Sequence, residues 1–346
     1  MCDRKASDLL ITVGAVPQLR IHGILGPAAV GHPVMDGAVI ERIAYHVLGD
    51  QRMGILQARK SVDFSKGYEG LSRFRFNFYY QRDSIAIAIR VIPFKIPPFE
   101  ELGLPEVVKD FALRPHGLVL ITGAAGSGKS TTQAAMLDYI NENRRLHMVC
   151  LEDPIEYLHR HKLSVIDQRE IGEDAHSFAE ALHSVFRQSP DVIMVGEMRD
   201  LETIQLVLSL AETGHLIMGT LHTQDTTHAI NRIVDVFPPA QQQQIYTQLS
   251  MVLVGIVSQQ LLITRDATRR VMACEIMNVN QAIRNMIREM QVQQLYSAVQ
   301  TGKSEGMMTM NDSLRDLYLK GVIDMGTAMS RSPRPKELAR MVELKR

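Results

Sequence analysis

The stretch Gly123-Ala124-Ala125-Gly126-Ser127-Gly128-Lys129-Ser130 constrains this chain more than any other. It fits the spacing G-x-x-x-x-G-K-S/T of a phosphate-binding loop, or P-loop. The apolar run Gly117–Thr122 before it predicts a buried strand, and Thr131–Tyr139 after it predicts a helix. Strand, glycine turn and helix together are the context that gives the motif its meaning.

The residue types follow from the chemistry. Glycine lets backbone N–H groups close around a phosphate without Cβ clashes, and a helix N-terminus adds partial positive charge. Gly123 to Ser130 and the following Thr131 are therefore the expected nucleotide-binding residues. Lys129 is expected to reach the β- and γ-phosphates of ATP, and the Ser130 hydroxyl to ligate Mg²⁺. The competing readings are a glycine-rich turn that binds nothing and a loop that binds nucleotide without hydrolysing it.

A chain of 346 residues can bury two cores. Its 38 basic and 38 acidic residues balance, which argues against a dominant nucleic-acid or anionic-membrane surface. Cys2, Cys150 and Cys274 are scattered, so they build neither a disulfide framework nor a four-cysteine zinc site, and they fit a reducing cytosol. No apolar run reaches the roughly 20 residues of a membrane span. Met251–Ile263 comes nearest and is broken by Ser258, Gln259 and Gln260. A soluble protein is expected, meeting membranes only through partners and with no direct insertion.

Residues 1–92 read as a small α+β domain. Asp8–Val13 and Gln18–Ile21 predict strands, and Met35–Arg59 predicts a helix. Arg73-Phe74-Arg75-Phe76-Asn77-Phe78 alternates, placing three phenylalanines on one strand face and Arg73, Arg75 and Asn77 on the other. Ser84–Val91 predicts the next strand, with Gln81-Arg82-Asp83 near the turn. The arginines are either solvated or aimed at a phosphate. Residues 93–105, rich in proline, predict a semi-rigid linker.

From 106 to 346 the pattern alternates strand and helix. Strands are expected at Leu146–Leu151, Asp191–Val195 and His215–Thr220, and helices at His176–Arg187 and Leu201–Ala211. Such alternation predicts a parallel sheet with ligands beyond the carboxyl ends of its strands. Polar clusters fall there: Glu152/Asp153/Glu156, Glu197/Arg199 and His222. Glu197 stands where the Walker B acid of a P-loop enzyme belongs, as a partner for Mg²⁺ and water. Glu152 closes the neighbouring strand, placed to hold the attacking water. Which of the two is the base stays open, and Asp153 and Glu156 serve the site or cap the turn at Pro154. His215 and His222 bracket one strand, as phosphate or interface sensors or as structural groups. Residues after about 264 are expected to be mostly helical, with Ala282, Ile283, Met286, Ile287 and Met290 forming an apolar stripe.

With these clusters in place the chain resembles the type IV pilus retraction motors (the PilT family), within the secretion-ATPase superfamily of RecA-like hexamers. The P-loop carries the resemblance, with Leu151-Glu152-Asp153-Pro154-Ile155-Glu156, Asp191–Asp200, and Thr213-Gly214-His215 through Leu221-His222-Thr223. Its most diagnostic piece is Ala282-Ile283-Arg284-Asn285-Met286-Ile287-Arg288-Glu289, which is similar to the AIRNLIRE signature with Met286 for leucine. Leu10, Ala124-Ala125, Phe186 and Ser189 depart from the family pattern and raise the prospect of a specialised or accessory member.

The resemblance implies an α/β chain: a RecA-like P-loop ATPase domain preceded by a small PAS-like α+β N-terminal domain. It implies a homohexamer whose ATP hydrolysis powers pilus retraction and twitching motility through interdomain motion. Arg75, Arg82 and Arg90 match basic residues that reach the phosphates. The partner implied is an inner-membrane platform protein, so a cytoplasmic chain recruited to the pilus base is expected. The Ala282–Glu289 element is expected to serve coupling more than hydrolysis.

Overall fold

The structure, a computed structural model, describes residues 1–21, 23–29, 31–68, 71–92 and 95–343. The chain divides into two compact units, Met1–Lys95 with Pro154–Leu158, and Ile96–Asp153 with His159–Arg346. Of the expected linker, Pro93 and Phe94 lie outside the described residues, and a short helix occupies 99–102.

In the first unit, β1 (Asp8–Ile11), β2 (Gln18–Ile21) and β3 (Ile24–Pro27) precede helix α1 (Gly37–Arg59), and β4 (Ser61–Tyr68), β5 (Ser72–Gln81) and β6 (Ser84–Ile92) follow it. They form one antiparallel sheet in the order β3-β2-β1-β6-β5-β4. The phenylalanine alternation puts Phe74, Phe76 and Phe78 in the core with Phe64, under Ile40, Ala44, Leu48, Met53 and Leu56 of α1. Asp36 starts α1 by accepting from the Val39 N–H. The expected continuous helix is broken at Gly49, whose φ of 64° no helical residue adopts. Strands β3 and β4 were not expected from the sequence. β3 is short, carries Gly26 and Pro27 and sits at an edge.

The second unit opens with α2 (Phe99–Leu102), α3 (Val107–Ala112), β7 (Gly117–Thr122), α4 (Lys129–Asn143), β8 (His147–Glu152) and β9 (Val165–Glu170). It continues with α5 (Phe178–Val185), β10 (Val192–Val195), α6 (Leu201–Glu212), β11 (Leu216–Leu221), α7 (Thr226–Asp235), α8 (Pro239–Val252), β12 (Leu253–Ile263) and β13 (Arg270–Asn278). Helices α9 (Gln281–Arg288), α10 (Leu295–Thr301), α11 (Met310–Leu319), α12 (Met325–Arg331) and α13 (Pro335–Glu343) close it.

Seven strands pair in the order β13-β12-β7-β11-β10-β8-β9. All neighbours are parallel except β12 and β13. Central strands alternate between two cores, so both faces are apolar. Leu118, Leu120, Ile193, Val195 and Ile217 pack against α5 to α9, and Val119, Ile121, Met148, Cys150 and Met218 against α2 to α4. The C-terminal helices α11 to α13 pack on the β12–β13 hairpin through Leu314, Ala328 and Leu338 against Leu262 and Ala273.

Residues after 264 are mostly helical, as expected, with one strand among them, Arg270–Asn278, whose Ala273 and Cys274 turn into different cores. The stripe on α9 narrows to Ile283 and Ile287, which are buried, and Met286, which is half-buried; Ala282 and Met290 are exposed. Arg284 is instead a structural cap, donating to Ser250 O at 2.8 Å and Met251 O at 2.6 Å in the last turn of α8.

Candidate active site

The P-loop joins β7 to α4 in the context that its sequence requires. Gly123, Gly126 and Gly128 have φ of 145°, 75° and 91°, where side chains are strained. A Cβ on Gly123 would lie 2.4 Å from the Gln259 carbonyl oxygen, so β12 closes that side of the loop. Ala124, Ala125 and Gly126 are exposed, Ser127 and Lys129 are buried, and Ser130 and Thr131 are half-buried on the first turn of α4. Lys129 Nζ donates to Gly123 O at 2.8 Å and Ala124 O at 3.1 Å, which curls the amine inside the loop.

The neighbouring strands deliver the other groups to the same edge. Glu197 follows β10, and its carboxylate meets the Arg199 guanidinium and, at 3.1 Å, His222 Nε2 from the end of β11. Burial pushes the Glu197 carboxyl up, but Arg199 and His222 outweigh it and hold the group below the usual carboxylate range. Met198 N donates to Thr220 O, which ties the Glu197 turn to β11. Glu152 ends β8, is buried, and accepts from Gln168 Nε2 of β9 at 2.8 Å. Gln168 Oε1 accepts from His159 N at 2.9 Å, which fixes the amide with its donor end on Glu152.

So the structure brings Glu197 and His222 into direct contact and places Glu152 one strand away. His215 sits at the opposite end of β11, where Thr213 Oγ1 lies 3.2 Å from its Nδ1. Sequence reasoning missed Gln168 and Gln259. Both are amides on strands that lack a periodic signal, and their partners are distant in the chain.

Of the three arginines of the first unit, Arg75 and Arg90 pair with carboxylates of that unit. Arg75 makes a two-pronged pair with Asp63, Nη2 to Oδ2 being 2.6 Å. Arg90 Nε donates to Asp8 Oδ1 at 2.8 Å. Burial raises the Asp8 carboxyl, but Arg90, with Ser7 and Arg20, brings it below its ordinary value. Arg20, Asp8, Arg90 and Arg75 lie on one rung across the sheet. Arg82 is exposed in a two-residue turn with Asp83, both at positive φ.

Whether these residues suit a nucleoside triphosphate can be judged from their unmet polarity. Among the described residues, Thr122 Oγ1, Ser127 Oγ and Thr223 Oγ1 are buried side-chain atoms without a hydrogen-bond partner, and all three lie at this edge. With the positive-φ glycines and the buried amine, they make a cradle suited to a phosphate chain. Ser130 and Glu197 are hard oxygen donors of the kind Mg²⁺ takes.

A parallel sheet flanked by helices, a P-loop after an interior strand and acids at the ends of two further strands define a RecA-like P-loop ATPase. Comparison with known proteins makes this specific: the family model for type II/IV secretion system proteins matches residues 86–322, and the chain belongs to that family. It is 43% identical over 331 residues to the type IV pilus retraction ATPase PilT of Pseudomonas aeruginosa, covering 96% of this chain and 95% of that one. It is 36% identical to the type IV pilus ATPase PilU of the same organism, covering 99% and 90%. The solved structure of the pilus retraction motor PilT with bound ADP superposes with a TM-score of 0.92 at 47% identity, covering 98% of this chain and 96% of that one.

Proposed function

We propose that this chain is an ATPase motor that powers type IV pilus retraction, and with it pilin disassembly and twitching motility. The observation that carries the reading is the gathering of the P-loop, the Glu197–His222 pair and Glu152 on one sheet edge of a chain similar end to end to a retraction ATPase.

In this reading Gly123 to Thr131 wrap the phosphates and Lys129 exchanges its carbonyl partners for β- and γ-phosphate oxygens. Ser130 and Glu197 would hold Mg²⁺, which supplies charge neutralisation on the phosphates. Arg199 and His222 keep the Glu197 carboxylate ionised and in place. Glu152, oriented by Gln168, takes the proton of the attacking water as general base. Arg75, Arg82 and Arg90 neutralise charge on the transferred phosphoryl group, for which Arg75 and Arg90 exchange Asp63 and Asp8 for phosphate oxygens. The antiparallel sheet of the first unit, with its helix inserted between two groups of strands, supports the PAS-like reading.

The assembly proposed is a homohexamer that acts on an inner-membrane platform protein from the cytoplasmic side of the pilus base. Among the described residues no helix is long and apolar enough to cross a membrane. Deleting the gene and complementing with Lys129→Ala tests the reading: retraction should be lost and stay lost. Retraction restored by a chain without ATPase activity would overturn it.

The full-length similarity to PilU favours a second reading, an accessory motor that works beside a principal one. Normal ATPase turnover combined with dispensability for retraction would select it.

A further inference from the structure

We infer that Gln259 is the positioning residue of the nucleotide site: its side-chain amide holds the P-loop in the shape that presents N–H groups to the β-phosphate. The inference rests on the P-loop being the phosphate site, as proposed above.

Strand β12 runs parallel to β7 as far as the Ser258–Thr122 pair and then continues beyond the end of β7, over the loop. Gln259 is the first residue of this overhang and is 1% exposed. Its Nε2 donates to Ser127 O at 2.8 Å, and its Oε1 accepts from Thr132 Oγ1 at 3.0 Å. Thr132 lies on the first turn of α4 and is itself buried. The Ser127 carbonyl can only accept, so the Nε2 end of the amide must face the loop, and the Thr132 hydroxyl, which can donate or accept, then donates to Oε1.

The consequence lies in the peptide plane. In a trans peptide the C=O of one residue and the N–H of the next point in opposite directions. Pinning Ser127 C=O toward Gln259 therefore turns the Gly128 N–H away from β12, onto the phosphate-facing side of the loop. The fit is close on the same side. The Gln259 carbonyl oxygen would lie 2.4 Å from a Cβ on Gly123, and its Nε2 3.2 Å from one on Gly128. The Gln259 backbone thus closes on the first glycine of the motif, while its side-chain amide spans from Ser127 to the start of α4, with no atom of its own needed at the phosphate. A preorganised donor needs no reorganisation when the anion arrives, so losing the clasp costs ground-state phosphate affinity.

The test uses the full-length assembled protein, with MgADP affinity by calorimetry, MgATP steady-state kinetics, and ³¹P spectra of bound ADP. Lys129→Ala comes first: wild-type MgADP affinity in that variant would remove the phosphate site, and the inference with it, whatever Gln259 does. Gln259→Leu should weaken MgADP about tenfold, as expected for losing one well-placed hydrogen bond, and raise KM far more than it lowers kcat. The bound β-phosphorus resonance should shift and the α-phosphorus resonance should not. Affinity within twofold of wild type, or equal movement of both resonances, would overturn the clasp. Should Gln259→Leu fail to fold, Thr132→Val against Thr132→Ser decides. The serine variant keeps the hydroxyl and should bind as wild type, whereas the valine variant should bind several-fold more weakly. Equal binding by the two would refute the proposal.

Discussion

Two helix N-termini stand on adjacent strands of the second unit, and they are finished in opposite ways. Helix α7, after β11, supplies its own anions. Asp225 caps it by accepting from His228 N, and the buried Glu275 of β13 accepts from Thr226 N at 3.0 Å and Thr226 Oγ1 at 2.8 Å. Helix α4, after β7, begins at Gly128 with no capping side chain and carries a lysine as its first residue. The same partial positive charge is neutralised within the fold at one helix and left open to an outside anion at the other. Here, then, a helix start becomes a site through what its loop withholds: a capping side chain and an internal carboxylate.

Breaking the α4 side should give the largest effect. Lys129→Ala should cut ATP turnover by about 100- to 1,000-fold or more, in steady-state phosphate release, with thermal stability close to wild type. Wild-type turnover in this variant would remove the distinction between the two helices.

Breaking the α7 side should do the reverse. Glu275→Ala leaves two buried donors of Thr226 without an acceptor, so chemical denaturation should show a loss of about 2 kcal/mol with MgADP affinity unchanged. Burial raises the Glu275 carboxyl, and its bonds from Thr226 only partly offset this. The folded state therefore keeps a proton that the unfolded chain has already lost. Stability should fall as pH rises from the ordinary glutamate range through the raised folded value, then level off. Glu275→Gln should flatten that slope, and an unchanged slope would exclude Glu275 as its source.

A smaller loss tests the opposite helix pole. Arg284→Met removes two bonds to the last carbonyls of α8 and should cost about 1 kcal/mol in the same denaturation assay, with ATPase activity retained. A strong ATPase defect without a stability change would return Arg284 to a direct role in the motor. The smallest effect lies in the first unit. Asp83 holds a φ of 60° in the β5–β6 turn, so Asp83→Gly should stabilise the protein by roughly 0.5–1 kcal/mol, read as a raised Tm.

The residues that the sequence left obscure share a cause. The strand Arg270–Asn278 is buried toward both faces through its middle, and its run Met272-Ala273-Cys274-Glu275 interrupts any alternation, so neither the strand nor the helix period stands out. The β9 segment Val165–Glu170 is an edge strand with four consecutive polar residues, Asp167 to Glu170, and its identity comes from pairing with β8. Gln168 sits in the second of these segments and Gln259 on β12, paired with Cys274 of the first, and the roles of both are set by partners far along the chain.

What the sequence determined alone is local. Glycine spacing, the flanking apolar run and the lysine fix the P-loop, because backbone sterics and side-chain reach act over a few residues. Strand–helix alternation fixes a parallel sheet and puts Glu152, Glu197 and His222 beyond strand ends, and phenylalanine alternation fixes one face of β5. Tertiary structure decided the strand order, and with it that His222 meets Glu197 while Gln168 meets Glu152. It also decided that a glutamine 132 positions from Ser127 closes the loop. Such partners are chosen by register and by the packing of whole layers, which no short window of residues encodes.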